Sequence, residues 1–173
     1  MCLNIRQARE QDLSQIVAVH DQAFNNKGEG KLVVGIHESD AYIPKLSLVA
    51  EDEHRDIVGH LLLSKAVIVG DTGEVETLAL APVSVLPALQ KKGIGSQLIN
   101  VSIARARELG FQHIVVLGHS DYYPTFGFKL ASKYGIQCPF PVPDEAYMVL
   151  ELIPGSLKGV KGTVKYAKAF QEV

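Results

Sequence analysis

Cysteine is scarce in this chain of 173 residues, and its scarcity excludes two common ways of holding a protein together. The two cysteines, Cys2 and Cys138, lie far apart and form neither a CxxC pair nor a spacing typical of metal ligands. A disulfide scaffold or a structural zinc site needs several cysteines or histidines at short, regular spacings. We therefore expect neither a disulfide framework nor a bound metal.

Long hydrophobic runs and an excess of one charge are also missing. Charged residues interrupt every long apolar stretch, so the sequence predicts no membrane-spanning helix. The 17 Lys and Arg residues nearly balance the 19 Asp and Glu residues, and a net charge of −2 gives no reason to expect nucleic acid or a membrane as a partner. The first residues lack the basic-then-apolar profile of a secretion signal, which favours a cytoplasmic protein.

A chain of 173 residues is long enough for one domain with a single core. Its hydrophobic periodicity predicts both strands and helices, which makes this an α/β domain. We expect this domain to span residues 1–173, with its core in about residues 3–153 and a surface extension in residues 154–173. The predicted strands are residues 3–8, 46–51, 57–69, 74–85, 111–118, 130–136 and 146–153. The first predicted helix spans residues 12–24, with Asp12 as its N-cap and His20 on its inward face. The others are residues 93–109 and the short helix or turn 123–128. Residues 25–30 are typical of a loop, and residues 31–37 fit either a strand or a short helix.

The strand at residues 74–85 is predicted to be central, because it is apolar over most of its length, as in strands buried on both faces. Pro82 removes a ladder hydrogen bond within this strand, which predicts a distortion there. The second half of the strand should therefore separate from the neighbouring strand. The helix at residues 93–109 and the strand at residues 111–118 then complete a strand–helix–strand unit. We expect a right-handed parallel crossover there.

Residues 85–96 carry the most informative motif of the chain, an apolar strand that breaks at Pro87, turns through a basic Gly-x-Gly sequence and opens a helix. The first N–H groups of a helix after such a turn form an anion-binding cradle, and glycine lets a phosphate approach the backbone closely. Lys91 and Lys92 add positive charge beside it. The spacing is not that of a P-loop, and Leu98 occupies the position of the third glycine of a dinucleotide fingerprint.

A second motif lies in residues 118–128, where Tyr123 stands four residues before the Gly127-Phe128 pair. With the Gln-x-x-Gly-x-Gly loop that starts at Gln90, it resembles the GNAT superfamily of acyl-CoA-dependent N-acyltransferases. The pyrophosphate loop of that superfamily reads Gln/Arg-x-x-Gly-x-Gly/Ala, and the second motif is similar to its Tyr-x-x-x-Gly-Phe signature.

The resemblance implies a fold and an activity. The fold is an α/β (α+β) arrangement with a central mixed, mostly antiparallel sheet of about seven strands. About four helices flank this sheet, which contains a splayed parallel strand pair. The resemblance also favours a helix at residues 31–37. The implied activity is N-acetyltransfer from acetyl-CoA to a primary amine, by direct attack in a ternary complex. The acceptor would be a small molecule or a peptide, and the family allows a homodimer.

The resemblance also assigns roles to residues. Backbone groups of Val83, Ser84 and Val85 would receive the pantetheine arm and polarise the thioester carbonyl. Tyr123 would protonate the leaving thiolate, since a phenol with a pKa of about 10 is protonated at neutral pH; Tyr122 is the competing candidate. The loop residues implied in pyrophosphate binding are Gln90, Lys91, Lys92, Gly93, Ile94, Gly95 and Ser96.

Two positions depart from the superfamily pattern. Val116 stands where many relatives have an asparagine that contacts pantetheine, and Ala79 stands where some have a general-base glutamate. The base is therefore unassigned, with Glu74, Glu76, His119, Asp121, a water chain or an already neutral amine as alternatives. Two other functions also stay open at this point: transfer of longer acyl groups, and a non-catalytic acyl-CoA sensor or interaction module.

Overall fold

The computed structural model describes residues 2–172, and within them nine strands form one mixed sheet accompanied by three α-helices and several short 3-10 turns. The strands are β1 (Asn4–Gln7), β2 (Ser47–Glu51), β3 (Ile57–Gly70), β4 (Gly73–Val85), β5 (His113–Leu117), β6 (Lys129–Leu130), β7 (Ile136–Gln137), β8 (Tyr147–Glu151) and β9 (Gly162–Lys165). The helices are α1 (Leu13–Phe24), α2 (Gly28–His37) and α3 (Ile94–Glu108).

The strand order is β1-β2-β3-β4-β5-β8-β6, and β9 pairs with both β3 and β7. Most neighbours are antiparallel, whereas β4 with β5 and β7 with β9 are parallel. The β4–β5 register aligns Leu78 with Ile114 and Ala79 with Val115. The predicted fold class is thus confirmed, with more strands and fewer α-helices than expected.

The chain divides into two compact units, neither of which is a continuous stretch of sequence. The first consists of residues 1–64, 81–105 and 167–173, and the second of residues 65–80 and 106–166. Among the residues described, no helix combines the length and the apolar character that crossing a membrane requires.

In the first unit, α1 and α2 bury one apolar face each against the sheet. The two helices approach closely at Gly30, where a β-carbon would collide with the Asp21 carboxylate. The loop predicted at residues 25–30 is wrong in its second half, because α2 begins at Gly28. The side chain of Asn26 explains this early start, since its Oδ1 accepts the Gly28 amide at 2.7 Å.

The second unit holds β5, β8 and the short strands β6, β7 and β9. The strand predicted at residues 130–136 is wrong: a 3-10 turn over Ala131–Tyr134 separates β6 from β7 and ends at Gly135, whose φ is +72°. Within the extension at residues 154–173, Leu157 and Val164 are each 1% exposed, so the extension buries part of its apolar surface.

Candidate functional site

The end of β4 is tied to its surroundings by two hydrogen bonds. The Leu86 amide donates to the Val58 carbonyl of β3 at 2.9 Å, and the Gln90 side-chain amide donates back to the Val85 carbonyl at 3.0 Å. A 3-10 turn over Pro87–Leu89 lies between these contacts. Gln90, expected among the coenzyme-binding residues, thus fixes the loop to the end of the strand.

Backbone alternation decides which amide of β4 faces away from β3. Successive residues of a strand direct their N–H groups to opposite edges. Because the Leu86 N–H points to β3, the Val85 N–H points away from β3. Val85 is one of the residues whose backbone the resemblance assigns to polarising the thioester carbonyl.

The glycine loop then turns into α3 through left-handed backbone. Lys91 has a φ of +64° and Gly93 a φ of +86°, and a β-carbon on Gly93 would meet no atom within 4 Å. The Gln97 amide donates to the Gly93 carbonyl at 3.0 Å, so the amides of Ile94 and Gly95 lie in the first turn, where a helix has no carbonyl to receive them. Lys91 and Lys92 are exposed beside this turn. The arrangement suits an anionic group, because the helix dipole and both lysines attract negative charge there.

The side chain of Ser84 begins a buried polar chain that the sequence did not reveal. Its Oγ lies 2.5 Å from His20 Nδ1, His20 Nε2 lies 2.8 Å from His60 Nδ1, and His60 Nε2 lies 2.9 Å from Ser47 Oγ. We refer to Ser84, His20, His60 and Ser47 as the Ser–His–His–Ser chain. It links β4, α1, β3 and β2 inside the first unit.

Both imidazoles of this chain are neutral at pH 7. Burial lowers the pKa of His20 to about 4, and burial together with the neighbouring His20 holds the pKa of His60 well below its ordinary value. Two features of the sequence could have indicated this chain. His20 lies on the apolar face of a predicted helix, and His60 lies within a predicted apolar strand.

Tyr123 lies in the second unit, at the start of a 3-10 turn over Tyr123–Phe126, and is 6% exposed. Its ring packs edge-on against Tyr122 at 5.2 Å and Phe128 at 5.6 Å between centroids. A β-carbon at Gly118 would collide with this ring, so the glycine lets the ring lie against the backbone. Burial, and then Tyr122, raises the pKa of Tyr123 to about 12.

The two departures from the superfamily pattern are core positions. Val116 and Ala79 are each 1% exposed. The carboxylates further back on β4, Glu74 and Glu76, are exposed, as are His119 and Asp121. The candidate residues thus fall into two groups, with residues 83–85 and 90–96 in the first unit and Tyr123 in the second.

Comparison with known proteins agrees with these features. The model of the acetyltransferase (GNAT) family matches residues 7–128, which is more than half of the chain. The chain is 38% identical over 135 residues to the uncharacterized N-acetyltransferase YjhQ of Escherichia coli, covering 78% of this chain and 74% of that protein.

Two crystal structures are similar over nearly the whole chain. That of the GNAT family N-acetyltransferase YhbS of Escherichia coli in complex with CoA has a TM-score of 0.90 at 28% identity, covering 98% of this chain and 92% of that one. That of a GNAT family acetyltransferase from Brucella melitensis in complex with acetyl-CoA has a TM-score of 0.80 at 34% identity and covers 98% of each chain. The chain therefore belongs to the GNAT family of acetyltransferases and is an N-acetyltransferase.

Proposed function

We propose that this enzyme passes the acetyl group of acetyl-CoA to a primary amine of a small molecule or peptide, by direct attack while both are bound. The observation that carries the proposal is the loop at the start of α3. There, left-handed backbone at Lys91 and Gly93 leads into the first turn of the helix, and Lys91 and Lys92 are exposed beside its amides. A pyrophosphate carries the charge and the acceptor oxygens that such a site selects.

The residues of the chain have distinct tasks in this proposal. The coenzyme supplies an activated thioester, and the backbone of Val83, Ser84 and Val85 orients it. Gln90 keeps the loop in position through its bond to Val85. The pyrophosphate is held by Lys91, Lys92, Gly93, Ile94, Gly95 and Ser96.

Tyr123 completes the proposal as the proton donor to the leaving thiolate. Its raised pKa keeps the phenol protonated throughout the neutral range. Acyl transfer to an amine needs a proton at the departing sulfur, and a positioned acid contributes about 10²- to 10⁴-fold to such a step.

The proposal is tested by measuring acetyl-CoA binding calorimetrically and free-thiol release with a panel of amines. The panel should include polyamines, aminoglycosides, amino acids and peptides with free termini or lysines. We expect tight binding and acceptor-dependent thiol release. Binding without turnover on any acceptor would instead favour an acyl-CoA sensor.

Two further proposals concern context. We place the enzyme in the cytoplasm, and we propose a homodimer as its assembly. Sedimentation velocity over a range of protein concentrations tests the dimer, which a constant monomer mass would contradict.

A further inference from the structure

The hydrogen atoms of the Ser–His–His–Ser chain have only two consistent orders. A neutral imidazole has one donor nitrogen and one acceptor nitrogen. If His20 donates to His60, then His60 donates to Ser47 and Ser84 donates to His20. If instead His20 donates to Ser84, every bond in the chain reverses. Such an all-or-none chain is the arrangement through which a proton entering at one end displaces a proton at the other.

The two ends of the chain lie in different surroundings. Ser84 belongs to the part of β4 that is proposed to orient the thioester, and it is 7% exposed. Ser47 lies beside the half-buried Tyr42, whose ring lies 4.6 Å from that of His37, and His37 pairs with the exposed Glu10. Tyr42, Ser47 and His37 line a small cavity. The chain thus runs from β4 to a polar edge of the first unit.

We propose that the Ser–His–His–Ser chain is a proton relay that removes the proton of the ammonium form of the acceptor before it attacks. This inference rests on the proposed function, because it assigns the proton acceptor that the sequence left open. Ser84 is the residue of the relay nearest the acceptor, while His20, His60 and Ser47 act through it.

The transfer is balanced at every atom. The ammonium N–H bond breaks as a proton moves to Ser84 Oγ, and the Ser84 proton moves to His20 Nδ1. The Nε2 proton of His20 passes to His60 Nδ1, and the Nε2 proton of His60 passes to Ser47. Ser47 then passes its own proton to Tyr42 Oη as the phenolic proton of Tyr42 leaves to solvent, and the neutral amine attacks the thioester. After product release one proton from solvent enters through Tyr42 and Ser47, the reverse sequence restores the first order, and one proton leaves at Ser84. The net result is the release of one proton per turnover.

Neutral rings suit this task. Because burial disfavours an imidazolium here, charge does not rest on either ring, and the protons are expected to move together. The elements that carry the relay have few other ionisable side chains. Within the first unit, β3 and β4 have none besides His60, and β2 has only Glu51, which is paired with Arg6. The remaining titratable groups on these elements are Asp21 on α1, Glu29, Lys31 and His37 on α2, and Tyr42 before β2.

The test compares His60→Asn with the wild-type enzyme across pH, using an acceptor identified in the amine panel. Asparagine keeps a polar atom near the Nδ1 position but cannot pass a proton between two nitrogens. We expect kcat/KM for the amine to fall about 100-fold at pH 7 and to approach the wild-type value above the pKa of the amine. The dissociation constant for acetyl-CoA should change less than about twofold. Ser47→Ala, which removes only the outer end, should show the same pH-dependent loss.

The control is His113→Asn in the second unit. His113 is 1% exposed and bonds Thr77 Oγ1 at 2.7 Å through Nδ1, so its loss removes a buried histidine outside the relay. It should lower thermal stability without changing the shape of the pH profile. An equal loss at every pH in folded His60→Asn and Ser47→Ala would overturn the relay and leave a structural clamp. A wild-type enzyme that binds acetyl-CoA and turns over no amine would overturn the proposed function and, with it, the relay.

Discussion

At the scale of single residues, two glycines flank α3 with nearly the same backbone angle. Gly93 has a φ of +86° and Gly110 a φ of +87°, and a β-carbon on either would meet no atom within 4 Å. Any side chain at these positions is therefore strained by the backbone and not by a collision. Comparing alanine variants at the two positions therefore separates two effects. One is the free-energy cost of the left-handed backbone, and the other is the loss of coenzyme binding.

We expect Gly93→Ala and Gly110→Ala each to lower the free energy of unfolding by roughly 1 kcal/mol, because alanine resists the left-handed region. Only Gly93→Ala should weaken acetyl-CoA binding, by at least about tenfold. Urea denaturation and calorimetry measure the two quantities. Undiminished binding in Gly93→Ala, or in the bulkier Gly93→Val, would refute the assignment of the loop to pyrophosphate.

A second residue-scale prediction concerns Tyr123. Phenylalanine keeps the ring contacts with Tyr122 and Phe128 and removes only the proton donor. We expect Tyr123→Phe to lower kcat by about 10²- to 10⁴-fold with little change in acetyl-CoA affinity. Tyr134→Phe, in the same unit, is the control. An unchanged kcat, or a comparable loss in Tyr122→Phe alone, would remove Tyr123 from the mechanism.

At the scale of elements, Arg6 joins β1, β2 and the start of α1. It contacts Asp12 Oδ2 at 2.8 Å through Nη1 and Glu51 Oε2 at 3.0 Å through Nε. Asp12 was expected to cap α1, but its carboxylate instead accepts the Arg9 amide at 2.7 Å in the preceding 3-10 turn. The hydrogen bond from Arg6 is the main cause that lowers the pKa of Asp12.

A lowered pKa in the folded state makes the stability from Asp12 depend on pH in a definite direction. The contribution is complete above the unfolded pKa of about 3.9 and is lost as the pH falls through the lower folded pKa. Asp12→Asn should therefore flatten the fall of unfolding free energy in acid, whereas exposed Asp40→Asn should leave it unchanged. Urea unfolding between about pH 2 and pH 7 measures the unfolding free energy of both variants. Parallel curves for wild type and Asp12→Asn would contradict the assignment.

The strand β9 gives a matched pair for the C-terminal residues. Val164 is 1% exposed and its neighbour Lys165 is exposed, although both pair with β3. Deleting two buried methyl groups should make Val164→Ala less stable by roughly 2 kcal/mol, while Lys165→Ala should stay within about 0.5 kcal/mol. Similar stabilities for the two variants in chemical denaturation would show that burial of Val164 does not stabilise the fold.

How far the sequence predicts the elements depends on whether local pattern or distant contact decides them. The long strands and α3 follow from periodicity and from the glycines at the ends of α3, and residues 31–37 form the helix favoured by the resemblance. The strand β9 is short and is stabilised by partners far away in sequence, so no local pattern predicts it. The Ser–His–His–Ser chain is similar, because only the fold brings Ser47, His60 and Ser84 to His20.

At the scale of the whole molecule, the two compact units are interlaced along the chain. The strands β3 and β4 each continue from one unit into the other, and the chain returns to the first unit at residue 167. Neither unit can therefore be cut out as one segment. This connectivity is the reason why we still predict a single cooperative domain.

That prediction has a direct test in thermal unfolding. Five of the six tyrosines lie in the second unit and only Tyr42 in the first, so tyrosine fluorescence reports mainly on the second unit and far-UV circular dichroism on both. Ile36→Val, at a position 0% exposed in the first unit, should cost about 1 kcal/mol, and Val164→Ala lies in the second. If the domain is one cooperative unit, each variant lowers the midpoint equally by both probes, because coincident transitions mark two-state unfolding. A midpoint that moves in circular dichroism but not in fluorescence for Ile36→Val would show two domains that unfold separately.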